Sequence, residues 1–217
     1  MTERTAMDDH EGNHEDNRAD DRHDAPPRDG IVAVFDLEWT AWEGSQARRW
    51  GGPGEEREVV QIGAVRLDAA RDFAETACFD VLVVPRINRL LSDYFIELTG
   101  ITQQAVDSDG MAFADALAAY GAFLGADTEA VYSFGGDQNV LEHNCRLNHI
   151  PFPFSGDLFF DAMVPLARVL GRPPRSFISS DLPALVGFPP PGAAHQALGD
   201  ARCIAEAFRV LRRDGRF

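Results

Sequence analysis

The chain has 217 residues, 45% of them hydrophobic, which suffices for one domain core and hardly for two. Its formal net charge of −15 excludes a protein that coats nucleic acid by bulk electrostatics, because such binding needs clustered Lys or Arg. No apolar run is long enough to cross a membrane, and the N-terminus lacks the order of a signal peptide, so we expect a cytoplasmic protein.

The first 29 residues are rich in Asp, Glu, His, Asn and Arg and contain almost no large apolar side chain. Such a segment cannot bury enough surface to offset the entropy of the chain. We therefore predict a disordered acidic tail over residues 1–29 and one folded domain over residues 30–217.

The first half of this domain predicts three strands in succession. Ile31–Trp39 is a continuous apolar run, typical of a strand buried on both faces. A loop over residues 44–58, rich in Gly and charge, separates it from VVQIGAVRL and ACFDVLVV, which predict a meander. A Ser-Asp pair at Ser92 then indicates a short capped helix that ends near Gly100.

The second half alternates helices and strands. The pattern predicts helices over residues 112–124, 137–148, 162–170, 180–186 and 195–212, with strands over residues 130–134 and 157–160. Three strands and a helix, followed by this alternation, are typical of an α/β fold.

Asp36 and Glu38 lie two residues apart at the end of the first strand. Residues spaced by two point to the same side of a strand, so both carboxylates project together. A hard divalent cation such as Mg²⁺ is their natural partner. Taken alone, the pair could equally be a solvated strand end.

Asp137 follows the Gly135-Gly136 turn and stands at the start of a helix. The two glycines allow a sharp turn that aims the carboxylate at the end of the neighbouring strand. The competing interpretation is a helix N-cap, which is a common role of Asp.

His195 and Asp200 belong to the segment HQALGDA, which follows a proline-rich loop. They do not stack on one face of a helix, so a shared site requires His195 to lie in the loop or the first turn. The alternatives are an exposed histidine and a surface acid. Together, Asp36, Glu38, Asp137 and Asp200 can hold two metal ions, and His195 can act as general base.

The order FDLEWT, SFGGDQNVL and HQALGDA resembles the three motifs of the DEDDh (DnaQ-like, RNase T-like) 3′–5′ exonucleases, and LSDYFIELTGIT is similar to a segment of Eri-type and KapD-like members. The resemblance covers residues 31–217. It implies an RNase H-like fold, in which helices flank a mixed five-stranded sheet of order 3-2-1-4-5.

The resemblance also implies roles for the matching residues. Asp36, Glu38, Asp137 and Asp200 correspond to the carboxylates that bind two Mg²⁺ or Mn²⁺ ions, and His195 corresponds to the general base. The implied substrate is the 3′ end of single-stranded RNA or DNA, with RNA favoured and nucleoside 5′-monophosphates released. Candidate substrate-binding residues are Leu37 through its backbone, together with Tyr94, Leu98, Thr99, Gly100 and Ile101.

One position departs from the Eri-type pattern. Those enzymes often have an aromatic residue directly before the second-motif aspartate, where this chain has Gly136, so one side of the clamp on the terminal base is missing. An alternative function is a catalytically weak binding or proofreading-partner module of the same fold. The oligomeric state stays open, a dimer included.

Overall fold

The computed structural model describes residues 25–192 and 194–217. Most of the predicted tail, residues 1–24, therefore lies outside the described residues, and the domain boundary stays a prediction. Within the described part, no helix combines the length and the apolar character needed to span a bilayer.

One mixed sheet of five strands in the order β3-β2-β1-β4-β5 forms the centre of the molecule, as predicted. β1 pairs antiparallel with β2, which pairs antiparallel with β3, whereas β4 is parallel to β1 and β5 is parallel to β4. The strands are β1 Ile31–Trp39, β2 Val59–Asp68, β3 Ala74–Leu82, β4 Thr128–Ser133 and β5 Phe159–Asp161.

Seven α-helices are found in the described residues. They are α1 Asp93–Thr99, α2 Gln103–Asp109, α3 Phe113–Leu124, α4 Asp137–Leu147, α5 Met163–Leu170, α6 Leu182–Val186 and α7 Ala197–Arg213. As predicted, Ser92 caps α1 by accepting from the Phe95 N–H, and α1 ends at Gly100. The sequence patterns did not predict α2.

Two predicted boundaries are wrong in an informative way. The last helix begins at Ala197 and not at His195, because His195 has a φ of 60°, which an α-helix cannot accommodate. The last strand begins at Phe159, because Gly156–Leu158 form a 3-10 turn in front of it.

β1 contributes to a separate core on each face of the sheet. Val32 and Val34 pack in a cluster with Ile204 and Phe208 of α7. Ala33 and Phe35 pack in a second cluster with residues of α3. Because side chains alternate along a strand, Asp36 and Glu38 continue the row of Val32 and Val34 and point to the face that α7 covers.

The strand next to β1 receives the start of α7. Gly63 pairs with Asp36, and Gln61 pairs with Glu38. A Cβ atom at Gly63 would lie 2.0 Å from the Leu198 backbone nitrogen, so only glycine permits this approach of helix to strand. The Gln61 Oε1 atom accepts from the Ala197 N–H at 3.0 Å. The residues opposite the two acids thus fix where α7 begins.

Candidate active site

Three carboxylates from opposite ends of the chain meet at the end of β1. Asp36 and Glu38 come from β1, and Asp200 comes from the first turn of α7. One carboxylate oxygen from each residue lies within 4.8 Å of those of the other two. Each of these residues is at most 9% exposed. The packing of α7 on β1 and β2 therefore brings together groups that the sequence separates widely.

Asp137 adds a fourth carboxylate from the start of α4. The turn that precedes α4 is held by Asp161 of β5, whose Oδ1 atom accepts from the Gly135 N–H at 2.9 Å. Gly136 is the N-cap residue, and no side chain caps the helix, so Asp137 does not serve as the N-cap. Its Oδ2 atom is buried and has no hydrogen-bond partner among the described residues.

These acids raise one another's proton affinity. Burial raises the pKa of Asp36 well above its ordinary value, and the charges of Asp137, Glu38 and Asp200 raise it further. Burial, together with repulsion from Asp200 and Asp137, raises the pKa of Glu38 to about 8. The pKa of Asp137 is raised by burial, by Asp161 and by Asp200. The cluster therefore resists full ionisation unless a cation compensates it.

Burial also raises the pKa of Asp200, but the His195 backbone N–H, the charge of the His195 side chain and the Gln196 backbone N–H oppose this effect. Among residues 25–192 and 194–217, no Lys, Arg or His side chain forms an ion pair with any of the four carboxylates. Buried carboxylates that form no ion pair within the described part of the chain, together with the Asp137 Oδ2 atom that has no hydrogen-bond partner there, fit divalent metal ions.

His195 lies in the loop before α7 and is tied to the acid cluster. Its backbone N–H donates to the Asp200 Oδ2 atom at 2.9 Å. Its φ of 60° is a left-handed conformation that non-glycine residues seldom adopt. The side chain is exposed and lines the same cavity as the carboxylates. An imidazole therefore stands at the solvent side of the acidic cluster.

A cavity of about 290 Å³ opens over the cluster. The five residues of the three motifs, Asp36, Glu38, Asp137, His195 and Asp200, all line it. Of the candidate substrate-binding residues, Leu37, Tyr94 and Leu98 line it as well. Eight of the predicted site residues are therefore brought together around one space.

Thr99, Gly100 and Ile101 do not line this cavity. The Thr99 hydroxyl donates to the Phe95 carbonyl and accepts from the Ile101 N–H, so its polar atom is used inside the protein. Ile101 packs in a buried cluster with Phe95 and Val106. Gly100 ends α1 with a φ of 73°. The contacts of these three residues therefore lie within the protein, at the end of the helix that carries Tyr94 and Leu98.

Sequence reasoning missed several residues that line the cavity. They are Trp39, Ala41, Ser45, Gln46, Trp50, Phe134, Ile178, Ser179 and Ser180. Trp50 had a visible signal, since it is a large aromatic residue in a loop of Gly and charged residues. Residues 178–180 precede α6 and had no comparable signal, because only the path of the chain brings them to the site.

A mixed sheet of this order, with four buried carboxylates and a histidine around one cavity, is the arrangement that the similarity of the motifs to the DEDDh exonucleases implies. The family model of the RNase T exonucleases matches residues 33–208. The chain belongs to this family and is a 3′–5′ exonuclease.

Individual relatives agree with this assignment. The probable 3′–5′ exonuclease KapD of Bacillus subtilis (strain 168) is 26% identical over an alignment of 194 residues that covers 86% of each chain. The nuclease domain of 3′hExo, a DEDDh family member bound to rAMP, has a similar fold with a TM-score of 0.77 at 23% identity, over 88% of this chain and 96% of that one. Exonuclease I of E. coli in complex with a dA16 oligonucleotide gives 0.61 at 17% identity, over 85% of this chain and 41% of that one.

Proposed function

We propose that the protein releases nucleoside 5′-monophosphates from the 3′ ends of single-stranded nucleic acid, with RNA preferred to DNA and with two Mg²⁺ or Mn²⁺ ions bound. The observation that carries this proposal is the group of four buried carboxylates beneath an open cavity, none of which forms an ion pair with another described residue.

Asp36, Glu38, Asp137 and Asp200 would hold the metal ions. When bound, such ions activate the attacking water and stabilise the charge that develops on the leaving 3′ oxygen. Asp137 contributes a buried oxygen atom that has no other partner among the described residues.

His195 would accept the proton of the attacking water. An imidazole can gain and lose a proton near neutral pH, which a general base requires. The exposed position of the side chain allows it to pass this proton on to solvent. Its backbone link to Asp200 keeps the imidazole near the carboxylates.

The rest of the cavity supports a terminal nucleotide as substrate. Tyr94 and Leu98 offer an aromatic and an apolar surface, and such surfaces accept any base by stacking. The backbone of Leu37, between the two acids of β1, is the proposed contact of the terminal sugar. The preference for RNA is supported by the similarity of the LTGI segment to Eri-type enzymes and by the rAMP bound to 3′hExo.

The first test uses 5′-labelled single-stranded RNA and DNA oligomers of one sequence with Mg²⁺, with Mn²⁺ or with chelator. We expect a ladder that shortens from the 3′ end, faster on RNA, and no cleavage in chelator. Asp36→Asn should lower the rate about a hundredfold to a thousandfold, since one ligand of a preorganised charged site is lost. His195→Ala should lower it about a hundredfold or more, the contribution of a general base.

Asp115→Asn is the matched control, since it removes an exposed carboxylate from α3 and should leave the rate unchanged. Cleavage that persists in chelator, or an Asp36→Asn rate close to that of the wild type, would refute the metal-dependent mechanism. Intact oligomers that bind the wild-type protein would instead favour the binding-module function.

A further inference from the structure

The loop between β1 and β2 carries an indole into the cavity above the carboxylates. Trp50 lines this cavity together with Asp36, Glu38 and Tyr94. Its side chain is half-buried, so part of the ring contacts protein and part faces open space. Neither metal binding by the carboxylates nor proton transfer by His195 accounts for a large aromatic surface at this place.

Contacts on several sides hold the ring. The Trp50 Nε1–H donates to the Thr40 carbonyl at 2.8 Å. The ring centroids of Trp50 and Trp39 lie 6.1 Å apart, and the Arg57 guanidinium lies 5.7 Å from the Trp50 ring centroid. Because the only polar hydrogen of the indole is already used, the part that faces the cavity offers only apolar and π surface.

The backbone of the loop is shaped for this position. Arg49 and Trp50 have φ values of 55° and 54°, which are left-handed conformations in residues other than glycine. The Trp50 N–H donates to the Ser45 carbonyl at 2.8 Å, and the Arg48 guanidinium pairs with the Glu55 carboxylate. Strained conformations of this kind persist where surrounding contacts enforce them, and they concentrate at functional sites.

Gly136 stands directly before Asp137 and brings no side chain to the cavity. Gly136 has no heavy atom within 4 Å of the position that its Cβ would take. Besides Trp39 and Phe134, aromatic surface reaches the cavity from Trp50 of the β1–β2 loop and from Tyr94 of α1, which is 40% exposed.

We propose that Trp50 stacks on the base of the 3′-terminal nucleotide, so that the β1–β2 loop sets the preference for the terminal base. This inference rests on the proposed function, since it requires a nucleotide in the cavity. Stacking on an aromatic side chain accepts every base and grows with the area of the base. Terminal purines are therefore held more tightly than pyrimidines, and a terminal residue without a base is held least.

The test compares single-stranded oligomers that differ only at the 3′-terminal nucleotide, which carries adenine or no base. For the adenine end, Trp50→Ala should raise KM about tenfold, which corresponds to about 1.4 kcal/mol, while kcat changes little. For the abasic end, the wild-type protein should already show the raised KM, and Trp50→Ala should add nothing to it.

Two further variants separate stacking from a structural role. Trp50→Phe keeps an aromatic ring but loses the hydrogen bond to Thr40, and it should retain most of the preference for adenine. Trp42→Ala removes a half-buried tryptophan of the same loop that does not line the cavity, and it should behave as wild type.

Titration with AMP gives a readout that does not need turnover. AMP should quench the tryptophan fluorescence of the wild-type protein and of Trp42→Ala to the same degree, and the quenching should be clearly weaker in Trp50→Phe, in which Trp39 is the one tryptophan that still lines the cavity. An equal loss on adenine and abasic ends in Trp50→Ala, or a loss confined to kcat, would overturn the stacking role. An inactive wild-type protein would refute the proposed function, and the AMP titration would then decide the role of Trp50 alone.

Discussion

At the scale of single residues, the buried acids oppose folding when no cation is bound. The pKa of Glu38 is about 8 in the folded protein, against 4.5 as its ordinary value. Between these values the folded state keeps a proton that the unfolded state has released. The free energy of unfolding of the metal-free protein should therefore fall as the pH rises from about 4.5 to about 8.

This fall is measured by urea denaturation in chelator at several pH values. A single group contributes a slope of at most about 1.4 kcal/mol per pH unit. Glu38→Gln removes this titration and should flatten the dependence. A metal-free wild-type protein that becomes more stable over the same pH range would contradict the prediction.

The sequence allowed the site residues to be predicted where a motif carries them. Asp36 and Glu38 share a side of one strand, and this follows from their spacing alone. Ser179 and Ser180 were not predictable, because their distance from the cluster depends on the path of the chain before α6. Trp50 stands out in the sequence as a large aromatic residue in a loop of Gly and charged residues. Its position in the cavity was not predictable, because a turn with two left-handed residues brings it there.

At the scale of elements, the start of α7 is the feature that places His195 and Asp200. Gly63→Ala would put a Cβ atom 2.0 Å from the Leu198 nitrogen and force α7 away from β2. We expect a loss of about 1–3 kcal/mol in the free energy of unfolding, as for other overpacked sites. The activity should fall by more than the unfolded fraction explains, because Asp200 moves with the helix.

Gly156→Ala is the matched control, because no heavy atom lies within 4 Å of its added Cβ. Urea denaturation and the rate on a labelled oligomer are measured for both variants. A Gly63→Ala protein with the stability and the rate of the wild type would show that α7 does not depend on this close approach.

Most elements were predictable because their apolar periodicity is strong. α7 buries Ile204, Phe208 and Leu211 at helical spacing, and the predicted helix is confirmed. α2 was missed because Val106 is its only buried residue, so its periodicity is too weak to detect. Its N-cap is Thr102, whose side chain accepts from the Ala105 N–H at 3.2 Å.

At the scale of the whole molecule, a net charge of −15 makes any cation stabilising to some degree. Mg²⁺ or Mn²⁺ at the proposed site should add a specific effect of about 2.7 kcal/mol at one hundred times its dissociation constant. Thermal unfolding is therefore compared in MgCl₂ and in NaCl of equal ionic strength. We expect a higher Tm in MgCl₂ for the wild-type protein and no such difference for Asp36→Asn.

The order of the strands was the part of the architecture least accessible to local patterns. Apolar runs predict where strands occur, but they do not predict that β4 lies beside β1, on the side opposite β2. That order was expected from the resemblance of the motifs to a known family. It matters for function, because it brings Asp137, after β4, next to the end of β1.

The left-handed backbone conformation of His195 lowers the stability of the fold, whereas its imidazole serves the proposed reaction. Glycine would adopt a φ of 60° without the penalty of about 1–2 kcal/mol that a residue with a Cβ bears there. It would keep the backbone N–H that donates to Asp200, but it would bring no imidazole. Selection for stability alone would thus favour losing the proposed base, and histidine persists at this position only while turnover is under selection.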